Sequence, residues 1–271
     1  MLGAILGDIA GSQFEWSEQK PQGFPLFTDA CRFTDDSVMT LAIAAALAEA
    51  GGDFESEGFR RLLIRRMVSL GRAYPDVGWG EGFYRWLTED PTPYGSMGNG
   101  AAMRVSPVGW VADSEEEVRA LSRLVTEVSH DHPEALLAAE AVSMAIYLGR
   151  CGASLSEIRA RMEAYYPEIR EMTVAGIRAD YGIDREGRFI TCAGSVPQAI
   201  VCFLEAESFE DAVRNAISLG GDADTQAAIT GSMAEACFGI PEDLVEEGLA
   251  FLDDELQDIV FAFEELRRPR E

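Results

Sequence analysis

Apolar residues recur along this chain at three- and four-residue intervals, the period of a helix buried on one face. The pattern covers 35–50, 55–72, 115–128, 133–148, 196–205, 209–218, 225–238 and 253–267. Strand-like alternation is scarce, and "GRFITCAG" at 187–194 is the best short candidate. Boundary signals agree with the helices: Ser114 and Glu117 have capping-box spacing, and Gly51-Gly52 follows the first long segment. The opening stretch sets Gly3, Gly7 and Gly11 four residues apart, so all three share one helical face that another backbone can approach closely. A helix so rich in glycine is weak by propensity and must be held by tertiary contacts.

No Ser/Gly-rich linker, low-complexity run or internal repeat interrupts the pattern, and "GIRADYGIDREGRFITCAG" at 176–194 is the loosest stretch. With 271 residues and 47% hydrophobic content, the chain can bury a substantial core. The expectation is an all-α, compact, orthogonal helical bundle forming one domain over 1–271.

Charge narrows the partners. The 47 acidic residues outnumber the 22 basic ones, for a formal net charge of −25, and Lys20 is the only lysine. Such a surface disfavours nucleic acid or an anionic membrane as a general partner. An anionic small ligand still fits where arginines, backbone N–H groups or bound cations supply local positive potential. The five cysteines are odd in number and widely spaced, which reads as reduced core thiols. "MLGAILGDIAG" lacks a basic leader region, carries Asp8 and is too short for a signal peptide or membrane span, so a cytoplasmic location is the default expectation.

Two acidic pairs stand at the mouths of apolar helices: Asp35 and Asp36 in one, Asp222 and Asp224 in the other. Helix capping by Thr34 or Asp35, together with the macrodipole, accounts for one acid per helix. If the two helix starts pack together, the four carboxylates repel one another and burial raises their pKa values. Arg32 is the only nearby basic residue, so divalent cations are the economical remedy. Carboxylates with the Thr34 and Thr225 hydroxyls make an all-oxygen set suited to Mg²⁺ or Mn²⁺ rather than Zn²⁺.

"GAILGDIAGSQFE" at 3–15, "TDDS" at 34–37, "GNGAAMR" at 98–104, "SHDHPEA" at 129–135 and "GDADT" at 221–225 follow one another in an order that resembles the ADP-ribosylglycohydrolases, including the dinitrogenase reductase-activating glycohydrolases. The resemblance implies a compact all-α fold with two divalent cations that releases ADP-ribose from a modified acceptor. That acceptor is an ADP-ribosylated protein, often at arginine, or a small ADP-ribose derivative. By motif match, Thr34, Asp35, Asp36 and Asp224 would hold one ion, and Asp222, Asp224 and Thr225 the other. Glu15 is the preferred candidate for orienting or deprotonating water, Asp76 in "YPDVGWG" is its rival, and Asp36 is counted with them among the catalytic candidates.

Cleavage at the ribose anomeric carbon develops oxocarbenium character while the attacking water loses a proton, a need that paired cations and a carboxylate meet. Ser96, Gly98, Asn99 and Gly100 form a small-residue loop that resembles the family's ADP-ribose-binding loop, where backbone N–H groups would meet the diphosphate. Arg104 either pairs with phosphate or holds an internal carboxylate. His132 either lies near the ligand, as in relatives, or packs at the start of the helix beginning at Pro133. Among Trp79, Phe83, Tyr84 and Tyr94, Tyr94 is the chosen adenine contact.

Helical phosphohydrolases with a His-Asp pair need an upstream histidine, and none precedes His130. Isoprenoid synthases need DDxxD, and "DDSVM" lacks the last acid. The remaining alternative is an inactive family member that binds ADP-ribose or serves as a structural protein.

Overall fold

The glycine-spaced opening segment folds as α1 (Leu2–Ser12), whose glycine face lies directly on a long C-terminal helix. The computed structural model describes residues 1–17, 23–54, 56–180 and 189–267. After α1 come α2 (Asp35–Ala50), α3 (Glu57–Ala73) and α4 (Glu81–Thr88), then the short α5 (Gly100–Met103) and α6 (Ser106–Val111). The middle of the chain forms α7 (Glu115–Glu127), α8 (Pro133–Arg150), α9 (Leu155–Tyr165) and α10 (Val174–Asp180). The last elements are α11 (Cys192–Leu204), α12 (Phe209–Ile217), α13 (Ala223–Phe238), α14 (Glu242–Leu249) and α15 (Asp254–Arg267). The bundle is all-α, and one hydrophobic cluster runs through it from Met1 to Phe263.

Helix α13 is the central strut, since it packs against α1, α8, α11 and α12 and is buried from Ala223 to Glu235. Helices α1 and α13 run antiparallel with their backbones nearly touching. A Cβ at Gly3 would lie 2.2 Å from Gly231 O, one at Gly7 2.1 Å from Ala227 O, and one at Gly11 2.5 Å from Ala223 O. Glycine is required at these positions because no rotamer can move a Cβ away from a facing carbonyl.

All eight predicted helices form, and α2 has the predicted limits. Thr34 caps α2 by accepting from Asp36 N, and Gly51 ends it in the left-handed region at φ 60°. The capping box read at Ser114 is half made: Ser114 accepts from Glu117 N, but the Glu117 carboxylate turns to Asp113 N. The reciprocal box occurs instead at Ser154 and Glu157. Glu55, within the second predicted helix, and residues 181–188, within the loosest stretch, lie outside the described residues.

The strand candidate, from Phe189 onward, contributes a single antiparallel bridge, Gly98 to Thr191. Two bonds flank it, Asn99 N to Ile190 O and Cys192 N to Met97 O, both 2.9 Å. Of the cysteines, Cys31, Cys192 and Cys202 are buried and Cys151 is exposed, all as free thiols. No described helix is long and apolar enough to cross a membrane.

Substituting Gly7→Ala drives a methyl into the Ala227 carbonyl and is expected to cost about 3 kcal/mol or more. Gly23→Ala, with nothing within 4 Å of its Cβ, is the control and should stay within about 0.5 kcal/mol. Thermal or urea unfolding of the two variants checks the contact.

Candidate active site

The antiparallel register brings the C-terminal end of α1 to the N-terminal end of α13, and Asp8 projects from α1 into this junction. Asp8 is fully buried. Its Oδ1 accepts from Thr34 Oγ1 at 2.6 Å, and its Oδ2 accepts from Thr34 N at 2.9 Å, Ser37 N at 3.1 Å and the Ser37 hydroxyl. It therefore clamps the first turn of α2. Thr225 Oγ1, in the first turn of α13, donates to Asp36 Oδ2 at 3.2 Å and joins the two helix starts. One carboxylate oxygen from each of Asp8, Asp36 and Asp224 falls within 4.8 Å of the others.

Asp36, Asp222 and Asp224 are buried and Asp35 is half-buried. Burial is the main cause that raises the pKa of all five acids, and neighbouring carboxylates add to it at Asp35, Asp36 and Asp224. Asp8 and Asp222 rise to about 6, opposed by their hydrogen-bond donors. Asp35, Asp36 and Asp224 rise well above the ordinary carboxylate range. Among the described residues, no arginine is ion-paired with any of them, and buried Asp36 Oδ1 and Asp224 Oδ1 accept no hydrogen bond. Unspent carboxylate oxygens beside threonine hydroxyls are the hard donor set that a divalent cation takes.

Asp35, Asp36, Asp222 and Asp224 form one wall of a cavity of about 390 Å³, within the range of small-molecule sites. Glu15 stands on its rim, half-buried, with Oε1 accepting from Trp16 Nε1 at 2.9 Å and Oε2 from Arg32 Nη2 at 3.0 Å. Trp16 holds a left-handed backbone, φ 56°, at a cost of about 1–3 kcal/mol for a bulky residue.

Another wall carries the opposite charge. Arg104 is 1% exposed, donates through Nη2 to Ser129 Oγ at 2.6 Å, and lies 5.2 Å from the centre of the Phe83 ring. Among the described residues no carboxylate pairs with it and its Nε has no partner; burial lowers its pKa to about 10, so it remains a cation at neutral pH. The same Nη2 faces His130 Nδ1 at 3.4 Å. A guanidinium only donates, so Nδ1 accepts and the ring proton is assigned to Nε2. Burial first and then Arg104 keep His130 well below the usual histidine range, hence neutral.

Thr225, Asp35, Asp36, Asp222, Asp224, Glu15, Tyr94, Ser96, Gly98, Asn99, Gly100 and Arg104 all border this cavity. Thr34 lies behind it as the cap of α2. Two residues fall elsewhere. Asp76 is exposed and off the cavity, although its loop reaches the site through Val77 O, which accepts from Asp35 N at 3.1 Å. His132 caps α8, its Nδ1 accepting from Glu134 N at 3.2 Å, while His130 takes the cavity position.

The loop N–H groups also differ from the expectation, because Gly98 N donates to Ser96 Oγ and Asn99 N to Ile190 O. The Asn99 side chain instead holds Asp222 Oδ2 at 2.6 Å. Of the aromatic candidates, Phe83 and Tyr94 line the cavity, whereas Trp79 packs on Phe83 from behind and Tyr84 is exposed outside it. Asp8, His130 and the cavity-lining Trp16 are among the residues at the site that no sequence motif singles out. The available signal for Asp8 was a single acid inside an otherwise apolar, glycine-faced helix.

The raised carboxyl pKa values fix the sign of a pH effect. In the cation-free protein, Asp8 and Asp222 bind protons near pH 6 when folded and near 3.8 when unfolded, so the folded state holds more protons across that window. Its stability is greatest below pH 4 as far as these groups are concerned, and declines as pH rises through 6. Melting of chelated protein should show this decline, and Mg²⁺ or Mn²⁺ should raise Tm more at pH 8 than at pH 5. A cation-induced shift independent of pH would contradict the assignment.

The ADP-ribosylglycohydrolase family model matches residues 1–270. An uncharacterized protein of Archaeoglobus fulgidus is 32% identical over 158 residues, 54% of this chain and 52% of its own length. This chain therefore matches about half of that relative. ADP-ribosylhydrolase ARH3 of Homo sapiens is 24% identical over 314 residues, covering 89% of this chain and 85% of that protein. A solved structure titled an ADP-ribosylglycohydrolase-related protein complex superposes with a TM-score of 0.69 at 23% identity, over 98% of this chain and 97% of that one, and shows the same fold. The match over nearly the whole length establishes that this chain belongs to the ADP-ribosylglycohydrolase family.

Proposed function

We propose that this chain, as one catalytic domain over 1–271, hydrolyses the glycosidic bond between ADP-ribose and a modified acceptor and releases ADP-ribose. The acceptor we favour is a protein side chain such as arginine, whose positive charge suits a strongly acidic protein. The observation that carries the reading is the pair of unspent buried oxygens, Asp36 Oδ1 and Asp224 Oδ1, in the same cavity as Glu15 and the unpaired cation Arg104. The family match and the name borne by the human relative support the ADP-ribosyl substrate class.

In this reading Thr34, Asp35, Asp36 and Asp224 hold one Mg²⁺ or Mn²⁺, and Asp222, Asp224 and Thr225 hold the second. When bound, such ions orient ribose hydroxyls and lower the pKa of water. Asp8 accepts a hydrogen bond from the Thr34 hydroxyl at 2.6 Å, so that oxygen, which also accepts from Asp36 N, keeps its second lone pair for a ligand role. Asn99 fixes Asp222 in the same supporting way. Glu15 takes the proton from the attacking water at the anomeric carbon, and the acceptor leaves with its bonding electron pair. The diphosphate lies along the Ser96–Gly100 loop, where small residues permit close approach. Arg104 supplies positive potential beneath it and the His130 Nε2–H donates a hydrogen bond. Tyr94, 41% exposed beside His130, offers a face to the adenine.

The deciding test is a panel of defined ADP-ribosyl substrates with ADP-ribose release measured with and without EDTA. Release should stop with the chelator and return with Mg²⁺ or Mn²⁺; chelator-insensitive release would defeat the mechanism, and ADP-ribose binding without turnover would leave a binding protein. Asp224→Ala should abolish cation binding by calorimetry and cut turnover by at least about 100-fold while keeping helical circular dichroism. Asp8→Asn should weaken cation affinity about 10- to 100-fold without removing any proposed ligand. Unaltered affinity in that variant would remove Asp8 from its supporting role.

A further inference from the structure

Trp16 is the one described residue other than glycine with a positive φ. A bulky side chain adopts that conformation only where its surroundings over-determine it. Packing does not account for it, because the residue is 42% exposed at the cavity rim. Two hydrogen bonds do. The backbone N–H of Trp16 donates to Gly221 O at 2.7 Å, tying it to the turn that delivers Asp222, and the indole Nε1–H donates to Glu15 Oε1 at 2.9 Å.

We infer that Trp16 is a positioning residue for Glu15, its strained backbone aiming the indole N–H so that the carboxylate presents a fixed lone pair to the cavity. The inference rests on the hydrolase reading above. A glutamate side chain alone is poorly suited to the task, since its terminal torsion is broad and nearly two-fold. Arg32 contributes the second donor, at 3.0 Å, but its side chain is 60% exposed, and exposed ion pairs hold geometry weakly. The indole is rigid, with two torsions, and its donor is neutral, so it orients the carboxylate without adding a second cation beside a group that must accept a proton. Each carboxylate oxygen keeps a lone pair after taking one donor. The left-handed backbone at residue 16 is thereby explained as the conformation that turns the ring back over its own neighbour.

Three variants test this. Trp16→Phe keeps an aromatic ring, though a smaller one, and deletes the donor; Trp16→Gly deletes the ring and relieves the backbone; Glu15→Gln supplies the background for a double-mutant cycle. Trp16→Phe should lower kcat about 10- to 100-fold with KM and ADP-ribose Kd within about twofold of wild type. Trp16→Gly should lose as much kcat while melting no lower than wild type, a combination that a merely structural tryptophan would not give. In Glu15→Gln, adding Trp16→Phe should cost nothing further. Wild-type kcat in Trp16→Phe, a parallel loss of ADP-ribose affinity, or an undiminished effect in the Glu15→Gln background overturns the inference. Absence of turnover in the wild type overturns the hydrolase reading and this inference with it, whereas turnover with an indifferent Trp16→Phe overturns this inference alone.

Discussion

The contact on which the rest depends is backbone against backbone: the glycine face of α1 lying on Ala223, Ala227 and Gly231 of α13. Glycine in a helix interior costs roughly 1 kcal/mol each against alanine, and α1 has three. In return the two helices approach more closely than any side chain would allow. Their antiparallel register then puts Asp8 beside Asp224 and leads the chain past Ser12 to Glu15 at the start of α13. Two helices separated by ordinary side chains would hold these acids several ångströms further apart, beyond the reach of a shared cation.

That closeness gathers five carboxylates in a chain already carrying a net charge of −25, and the fold satisfies them unequally. Asp8 has both oxygens engaged by donors from α2, so its bonds arrange its neighbours, whereas Asp222 is itself held in place by the Asn99 amide. Asp36 and Asp224 each keep an oxygen buried with no donor. A buried polar atom without a partner is destabilising by about 1–3 kcal/mol, and two of them on residues that line one cavity amount to a standing demand for positive charge. Hydrogen-bond satisfaction thus sets Asp8, with both oxygens engaged, apart from Asp36 and Asp224, which proximity alone does not do.

How much was legible beforehand follows the same division. Helix positions came through periodicity, and α2 through its cap and its glycine stop, because those signals are local. The shorter helices α4, α6 and α14, of 6 to 8 residues, carry too few turns to show a period. The Asp pairs were legible because acids before an apolar run stand out. Asp8 was not, since its importance arises from donors 26 and 29 residues away. Between His130 and His132 the sequence offered no criterion. The decision rests on where the turn before α8 directs each ring, one onto Arg104 and one onto the α8 N–H groups. The Gly98 and Asn99 amides read as phosphate donors in the sequence, but Ser96 Oγ takes the first and the distant Ile190 carbonyl takes the second.

Arg104 makes the acid wall compatible with an anionic ligand. A cavity lined by carboxylates alone would repel a diphosphate, and added cations bound by those same carboxylates would be largely neutralised by them. Here the guanidinium is kept apart: its partners are a serine hydroxyl, a neutral imidazole and the face of Phe83, none of which cancels its charge. A buried cation with no counter-ion among the described residues is costly without a ligand and favourable once an anion arrives. The cavity is therefore polarised, with hydroxyl- and cation-seeking oxygens on the wall formed by α2 and α13 and an unspent positive charge beneath the glycine loop. A molecule with ribose hydroxyls at one end and a diphosphate next to them matches that polarity in sign, whereas a simple sugar would leave Arg104 unpaired and a simple phosphate would leave the carboxylate wall without its complement.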